Sequence, residues 1–457
     1  MIKPVSHDCQ SLNWWQRKCR SLILGQARRM IGETIEVVDD DDCWRVGDQS
    51  ATISPVRIVV KNPRFYWRML SGGGLGAAES LMDGDWTCSD MPRLIRALVR
   101  NIEVLDSYDG GFARIRKMVE QVKHWLNRNT LSRSKANIRE HYDLGNEFFS
   151  LFLDPTMNYS SAVFETLTHQ EHPESLHRAQ LRKMQRLCEM LRLSPGDHLL
   201  EIGTGWGSLA CYAAKHFGCR VTTTTISHEQ FVWAQKRVAA EGLEDRVTVL
   251  ECDYRLLEGK YNKIVSVEMI EAVGDQFYDT FFKKCQSLLT EEGLLLLQAI
   301  TIVDQRYQKH LNSVDFICKY IFPGGSLPCI SRLVGSAANA AEMRMIQLND
   351  YAAHYAETLR RWRTRFWQQI DAIRELGYTE RFITMWDYYL AYCEAAFDER
   401  QINLIHVLFA QRNSRCDLTQ LSDEESSSAL RLEKKNSENV CDRIDAAEQD
   451  PTIGWAI

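Results

Sequence analysis

The sequence has no hydrophobic run long enough to cross a membrane. Its longest aliphatic run, Leu294–Leu297, falls far short of the roughly 20 apolar residues that a transmembrane helix needs. The opening stretch, MIKPVSHDCQSLNWWQRKCR, also lacks the apolar centre of a signal peptide, so we expect no secretory signal. Both absences favour a cytoplasmic location without a transmembrane anchor.

Paired cysteines are missing as well. There are 14 cysteines, but the sequence contains no CxxC pair and no tight cluster of cysteine with histidine. A scattered set of this kind is typical of reduced cysteines in the cytosol. It argues against a disulfide framework and against a zinc site of the CxxC type.

Charges of both signs are present, but they are unevenly placed on a chain whose formal net charge is −6. Residues 114–140 hold eight Lys or Arg against two Glu, whereas residues 412–457 hold six against ten acidic residues. A basic zone on an acidic chain indicates a local anionic partner and argues against general nucleic-acid binding.

The basic zone overlaps the pattern of an amphipathic helix. Apolar residues recur at Phe112, Ile115, Val119, Val122 and Leu126. Such a helix could place its apolar side in a membrane interface while Lys and Arg meet lipid phosphates. The alternative, which the sequence leaves open, is that the stripe packs on the protein and the charges face solvent.

The length of 457 residues predicts two domains with extensions. We expect an N-terminal helical extension (1–30), a small α+β domain (31–130), a large domain (131–411) and a disordered tail (412–457). The small domain should contain the strand RIVVK, the helix PRFYWRML and then a glycine-rich turn. The tail is polar, highly charged and almost without aromatic residues, so its composition cannot bury a core.

Strands and helices alternate from about His198 onwards. HLLEI, RVTTTTIS, VTVLECD, KIVSVEMI and GLLLLQAI are predicted strands, and helical segments separate most of them. This alternation predicts parallel strands joined by crossover helices. After Thr301 come an insertion, two helices at about 350–377 and 380–398, and a last strand, INLIHVLFA. The predicted fold class is therefore α/β, with a Rossmann-like, mixed but mostly parallel sheet.

A glycine-rich turn follows the first of these strands, in LLEIGTGWGS. Its glycines are Gly203, Gly205 and Gly207. A turn of this kind lets the backbone approach a ligand closely. The GxGxxG motif of nicotinamide and flavin sites would place a third small residue at 208, where Ser208 stands, and the bulky Trp206 crowds the space of a pyrophosphate. Glu201, before the first glycine, favours S-adenosylmethionine (SAM), with a nicotinamide site and a ligand-free fold as alternatives.

The polar residues expected around SAM lie at the ends of the next two strands. The second strand ends in TTTTIS without the usual acidic residue, so Thr225, Ser227 and Gln230 would supply the polar contacts. Asp253 and Tyr254 follow the third strand, where adenine usually lies.

Five further motifs are more specific. They are IREHYDLGNEFFSLFLDPTMNYSSAVF (138–164), TISHEQ, SVEMIEAVG, YIFPGG and HYAETLRRWRTRF, in that order. With them the chain resembles the cyclopropane-fatty-acyl-phospholipid synthase family from about residue 56 to 411. The resemblance implies a SAM-dependent methyltransferase fold, with a small N-terminal domain. The implied reaction transfers a methyl(ene) group to a double bond in an unsaturated acyl chain of a membrane phospholipid, giving a cyclopropane ring.

This reaction sets requirements for the site. An alkene that accepts a methyl cation becomes a carbocation, which needs an apolar slot lined with aromatic faces. A proton must then leave, and the resemblance implies a bound bicarbonate ion as the base. It implies five residues around that ion: Glu271, Tyr355, Ser161, Gln298 and Ile300. Ser161 and Gln298 stand where the family has a cysteine and a histidine, so a methyl- or methylene-branched product stays open beside the ring.

Other residues support less specific hypotheses. We expect Tyr142, Tyr159 and Ser160 to contact the cofactor, with ordinary packing or loop capping as the alternative. Cys393 matches a family cysteine once considered catalytic. Because the proposed chemistry needs no thiolate, a packed helix cysteine is the better interpretation.

The leading hypothesis is a lipid-modifying carbon methyltransferase that works at the inner membrane surface with SAM and bicarbonate. The alternatives are a small-molecule N-methyltransferase and a non-catalytic lipid-binding relative. The expected partners are the acyl chains of unsaturated phospholipids and no nucleic acid, with a homodimer as a further option.

Overall fold

The computed structural model of the chain describes residues 12–102, 144–167 and 174–415, apart from 41, 49 and 51–53. Several predictions fall outside these residues. They concern the first part of the N-terminal extension, the helix from Phe112 with its basic zone, Tyr142, and the tail beyond residue 415. The described residues up to Arg412 belong to one compact unit.

The strands of the described residues form two sheets. The smaller sheet contains β1 (Thr34–Asp39), β2 (Asp42–Gly47), β3 (Val56–Val60) and β4 (Trp86–Cys88), in the order β2-β1-β3-β4. The larger sheet contains β5 (His198–Ile202), β6 (Arg220–Thr225), β7 (Val247–Glu251), β8 (Tyr261–Val267), β9 (Leu289–Ile302), β10 (Arg344–Asp350) and β11 (Ile402–Ala410). Its order is β10-β11-β9-β8-β5-β6-β7.

The described α-helices are numbered here in chain order. The first three are α1 (Trp14–Ala27), α2 (Arg64–Met82) and α3 (Met91–Arg100). Those of the central part are α4 (Asn146–Phe152), α5 (Leu176–Met190), α6 (Ser208–Phe217), α7 (His228–Ala240) and α8 (Tyr278–Leu288). The last five are α9 (Asp304–Leu311), α10 (Ile330–Ala341), α11 (Ala352–Gln368), α12 (Ile370–Glu375) and α13 (Glu380–Asp398).

The larger sheet confirms the predicted α/β class. Strands β9, β8, β5, β6 and β7 run parallel, while β11 and β10 pair in antiparallel fashion beyond β9. Leu294–Leu297, the aliphatic run of β9, is fully buried, as expected for a central strand covered on both faces. Strand order reverses at β5, which has β6 on one side and β8 on the other. Ligands of open α/β sheets bind at such a switch point, beside the strands' carboxyl ends.

Strand β10 was absent from the sequence prediction. All of its residues, Arg344–Asp350, are exposed or only partly buried, because it forms an edge of the sheet. Its sequence, RMIQLND, alternates between apolar and polar residues only from Ile346 to Asn349. So short an alternation is a weak signal for a strand.

The glycine-rich segment after PRFYWRML does interrupt the helix, as the sequence predicted. The backbone is non-helical at Gly73, and a second helical segment, counted here within α2, follows at once and ends at Met82. Gly73 has φ +55° and ψ −140°, a conformation that glycine adopts without a side-chain clash. Gly73 therefore joins two helical segments at a kink in place of a longer turn.

The small sheet's helices pack against the larger part of the unit. Helix α3 lies along α13, and Arg96 of α3 bonds to Asp398 at 2.8 Å. From α2, Glu79 accepts hydrogen bonds from Lys319 and Tyr320, which precede β10. The described residues contain no helix with the length and apolar character that spanning a membrane requires.

Candidate active site

The loop between β5 and α6 contains the three glycines at positive φ, but they do not share one role. Gly203 (φ +101°) and Gly205 (φ +52°) line a cavity of about 500 Å³. Gly207 does not line it. A Cβ at Gly207 would lie 3.1 Å from the Cβ of Ala234 in α7, so this glycine permits two helices to approach closely.

Most residues predicted to contact the cofactor do line this cavity. They are Tyr159, Ser160, Glu201, Gly203, Gly205, Thr225, Gln230, Asp253 and Tyr254. Ser227 does not line it. Its side chain caps α7 by accepting a hydrogen bond from the backbone N–H of Gln230. Tyr142 is outside the described residues.

The polar groups at this part of the cavity are held in place by neighbouring side chains. The Thr225 hydroxyl donates to Gln230 Oε1 at 2.9 Å. Asp253 forms an ion pair with Arg255 at 2.6 Å. Glu201 accepts a hydrogen bond from the Thr223 hydroxyl at 2.6 Å. Burial raises the pKa of Glu201 to about 8.

The residues at the glycine loop fit SAM. In the described part of the chain, no side chain other than those of its chain neighbours lies within 4 Å of where a Cβ on Gly205 would point, so the backbone is open to a ligand. The buried Thr204 hydroxyl, which also lines the cavity, has no hydrogen-bond partner among the described residues. A buried polar atom without a partner is costly, and a ligand that accepts from it would remove that cost.

Aromatic rings cover much of the same cavity. The lining includes Tyr159, Phe322, Tyr355, Tyr389, Tyr392 and Phe397. The Tyr159 and Tyr389 hydroxyls lie 2.8 Å apart, and the Tyr355 and Phe397 rings stack with centroids 4.5 Å apart. Ring faces carry negative charge density, so this wall suits a cationic or apolar reacting group.

A carboxylate that the sequence analysis did not single out lies at the centre of the predicted anion site. Glu268 accepts three hydrogen bonds: from the Ser161 N–H at 2.9 Å, from Gln298 Nε2 at 2.7 Å and from the Tyr355 hydroxyl at 2.6 Å. Burial raises the pKa of Glu268, while these three donors and Lys183 act in the opposite direction. The signal in the sequence was a second acidic residue, directly after β8, in SVEMIEAVG.

Glu271 is the second carboxyl group of the site. Its Oε1 accepts from the Ile300 N–H at 2.5 Å, and its buried Oε2 has no partner among the described residues. Burial, together with the charge of Glu268, raises the pKa of Glu271 to about 8. Two buried carboxyl groups whose charges repel do not both ionise readily, so Glu271 is the protonated member near neutral pH.

The residues present do not fit the bicarbonate ion that the family resemblance implies. Ser161 and Gln298 do not line the cavity, whereas Glu268 does, and both donate to the Glu268 carboxylate. Tyr355 lines the cavity, but its hydroxyl also donates to Glu268. The three donors that were expected to hold the anion thus already donate to a side chain of the protein, that of Glu268.

Gln298 is oriented from the neighbouring strand. His406 of β11 lies opposite Gln298 in the sheet, and its Nε2 is 2.9 Å from Gln298 Oε1. Since that amide oxygen can only accept, His406 Nε2 carries the proton. Burial lowers the pKa of His406 to about 3, so the ring is neutral. This contact directs the Gln298 amide group towards Glu268.

Lys183 is a second residue that the sequence analysis missed. It lies on the buried face of α5, is 1% exposed, and donates to the Ser160 hydroxyl at 2.7 Å. Burial lowers the pKa of Lys183 to about 8, against the opposite effect of nearby acidic side chains, of which Glu268 has the largest effect. The signal was a lysine in register with the apolar stripe of a helix, where charge is rare. Lys183 supplies a buried positive charge to the site.

Cys393 also lines the cavity. Burial raises the pKa of its thiol, so it is not a thiolate at neutral pH. Reactive cysteines require the thiolate form, and the nearby charge of Asp315 disfavours it further.

Comparison with known families shows which family the chain belongs to. A family model described as mycolic acid cyclopropane synthetase matches residues 129–407, more than half of the chain. The chain belongs to this family. The resemblance inferred from the motifs is confirmed, and the protein is a SAM-dependent methyltransferase.

Members and relatives of the synthetase family cover most of the chain. Tuberculostearic acid methyltransferase of Mycobacterium tuberculosis is 38% identical over 71% of this chain and 76% of its own. Cyclopropane-fatty-acyl-phospholipid synthase of Escherichia coli is 36% identical over 82% of this chain and 95% of its own. A crystal structure of a mycolic acid cyclopropane synthase with S-adenosylhomocysteine is 30% identical, with a TM-score of 0.55, and covers 60% of this chain and 98% of that one.

Proposed function

We propose that the protein transfers a methylene group from SAM to the double bond of an unsaturated acyl chain in a membrane phospholipid, giving a cyclopropane ring. The observation that carries this proposal is a single cavity lined by the glycine loop, by eight aromatic side chains and by the neighbouring carboxyl groups of Glu268 and Glu271. The similarity to the phospholipid synthase of Escherichia coli over most of the chain supports the choice of substrate.

Different residues of the cavity would bind SAM, stabilise the carbocation and accept the proton. Gly203, Gly205 and Gln230 would hold SAM, which supplies an electrophilic methyl group when it is bound. Tyr159 and Tyr389 would place ring faces beside the carbocation that forms on the acyl chain, and the apolar lining would exclude water from it. A buried carboxylate then accepts the proton.

The test is lipid analysis of a host that expresses the full chain. Unsaturated phospholipids should gain the mass of one CH₂, and proton NMR of the purified product should show the ring CH₂. A Gly205→Val variant, expressed at the same level, should leave the lipids unmodified. Methylation of small amines with unchanged phospholipids would instead support an N-methyltransferase.

A methylene- or methyl-branched acyl product is a second candidate. It is favoured by the 38% identity to a protein named as a methyltransferase of tuberculostearic acid. An exocyclic methylene product has the same mass as the ring, so NMR, or sensitivity of the product to hydrogenation, separates the two. A saturated methyl branch would be heavier by two hydrogens and would require a reductant.

We further propose that the reaction takes place at the inner membrane surface, because the substrate is part of the bilayer. Exposed aromatic rings of α1 and α2 support this. Trp14 is 72% exposed, Trp15 lies against Trp67 with ring centroids 5.7 Å apart, and Lys18 lies over the Trp14 ring. Tryptophan beside basic side chains suits the interface of an anionic bilayer.

A further inference from the structure

The carboxylate of Glu268 lies on the hydrogen-bond donors expected to hold a bound base. Its Oε1 accepts from the Ser161 N–H and from Gln298 Nε2, and its Oε2 accepts from the Tyr355 hydroxyl. A carboxylate oxygen can accept two hydrogen bonds, so Oε2 keeps a lone pair beyond its bond to Tyr355. Glu268 lines the cavity itself, whereas Ser161 and Gln298 lie behind it.

The backbone conformation of Glu268 is typical of a functional residue. Glu268 has φ +48°, in the left-handed region that favours glycine and is uncommon for other residues. Its N–H donates to the Gln298 carbonyl oxygen at 2.8 Å, which fixes the backbone in that conformation. Residues held in such conformations concentrate at functional sites. A glycine would be easier here, yet the chain has a glutamate that points into the reaction cavity.

The charges around Glu268 favour its ionised form over that of Glu271. Glu268 accepts from three donors and has the nearby cation Lys183, whereas Glu271 has only the backbone N–H groups of Ile300 and Glu271 itself and is opposed by the charge of Glu268. Glu271 thus stays protonated, and Glu268 stays available to accept a proton. Environments that move the pKa values of two neighbouring carboxyl groups apart are typical of acid–base pairs in enzymes.

We propose that Glu268 is the catalytic base of the reaction, built into the chain in place of a bound bicarbonate ion. This proposal rests on the proposed function. The alkene's π electron pair forms the bond to the transferred methyl carbon while the sulfur keeps the electrons of the bond that breaks. A C–H bond of the new methyl group then supplies the pair that closes the ring onto the cationic carbon. Its proton passes to Oε2 of Glu268, which becomes a carboxylic acid.

Two substitutions of Glu268 distinguish the loss of its basic oxygen from the loss of its side-chain volume. Glu268→Gln keeps the shape but loses the basic oxygen, so kcat should fall by roughly 10²–10⁴-fold with little change in the affinity for SAM. Added bicarbonate should not restore this variant, because the amide still occupies the site. Glu268→Gly should lose as much activity, but it leaves the donors of Ser161, Gln298 and Tyr355 facing an open space. Bicarbonate should therefore restore part of its rate.

The matched control is Glu342→Gly. Glu342 is also a glutamate at positive φ (+51°), but it is exposed, ends α10 and does not line the cavity. The same chemical change at a similar backbone conformation should leave kcat and its indifference to bicarbonate unchanged. Circular dichroism of all three variants would show that each one folds.

Three measurements decide the proposal. The wild-type rate should be equal in carbonate-free buffer and with added bicarbonate, and isotope-labelled bicarbonate should show no bound NMR signal with the wild type but a bound signal with Glu268→Gly. With SAM whose methyl group is deuterated, Glu268→Gln should show a larger isotope effect than the wild type, because proton removal has become slower.

The outcomes also separate this proposal from the proposed function. A wild type that makes no modified lipid would overturn the proposed function. A wild type that makes the lipid but is stimulated by bicarbonate, or that binds the labelled ion, would overturn the assignment of Glu268. So would a Glu268→Gln variant that keeps the wild-type kcat.

Discussion

At the scale of single residues, the glycine loop gives the most direct test of SAM binding. Gly205 has φ +52° and lines the cavity, and apart from its chain neighbours no described residue has an atom within 4 Å of the position of a Cβ. The branched side chain of Gly205→Val would enter the space of the ligand, and valine is strained at positive φ. We expect calorimetry to detect no SAM binding. Unchanged affinity would contradict the placement of the cofactor at this loop.

Glu201 gives a residue-scale prediction on pH. Because its folded-state pKa is raised to about 8 by burial, the folded protein holds a proton that the unfolded chain releases near its ordinary pKa. Its contribution to stability is complete at low pH and is lost as pH rises to about 8. The slope is at most about 1.4 kcal/mol per pH unit.

Glu201→Gln should remove this contribution. Urea unfolding would be measured at pH 5 and at pH 8, which span most of the range between the unfolded and folded pKa values of Glu201. The unfolding free energy should fall less between these pH values in the variant than in the wild type. Glu291→Gln, at an exposed position of β9, is the control and should keep the wild-type difference. An equal pH dependence in all three proteins would show that Glu201 is ionised in the folded state.

At the scale of secondary-structure elements, the kink in α2 depends on Gly73. With φ +55° and ψ −140° it lies in a region that an L residue with a Cβ rarely adopts, although no atom would clash with the Cβ itself. Gly73→Ala should therefore lower the free energy of unfolding by about 1–3 kcal/mol through backbone strain alone.

The next glycine along the helix is the matched control for Gly73. Gly74 also has open space around a Cβ, but its backbone is helical. Gly74→Ala should leave stability unchanged or raise it by up to about 1 kcal/mol, because alanine favours helix. Equal effects of the two substitutions in denaturant unfolding would mean that α2 straightens without cost.

At the scale of the whole molecule, the compact unit ends at Arg412. The composition of the residues beyond it, with SDEESSS and EKKNSEN and ten acidic residues from 412 to 457, does not support a buried core. A chain stopped after Arg412 should therefore be obtained in soluble form with unchanged SAM affinity and lipid-modifying activity. Loss of soluble protein on truncation would show that the tail contributes to folding.

Membrane binding is the second prediction at this scale. The basic residues between 114 and 140, with the exposed tryptophans of α1, should bind vesicles that contain anionic phospholipid. Binding should weaken as salt rises from about 0.01 M to 1 M, since screening shortens the range of the attraction. Equal sedimentation with neutral and anionic vesicles at every salt concentration would exclude a basic docking surface.

Much of the fold could be predicted from the sequence because local patterns specify it. Buried parallel strands appear as short apolar segments, and the glycine turn after HLLEI indicates a ligand at the carboxyl end of β5. The edge strand β10 was not predicted, because its alternation spans only Ile346 to Asn349. The glycines after PRFYWRML predicted a break, which lies at Gly73, but they did not show that helix resumes directly after it.

The sequence by itself determined the family, the use of SAM and the identity of several residues of the site, since motifs in fixed order keep their spacing. Only the tertiary structure decided which group each of those residues faces. Ser161, Gln298 and Tyr355 are separated by 137 and 57 residues along the chain, yet all three donate to Glu268. Hydrogen bonds that join a loop, a central strand and a helix depend on packing. No local pattern could therefore have shown that a side chain already occupies the anion site.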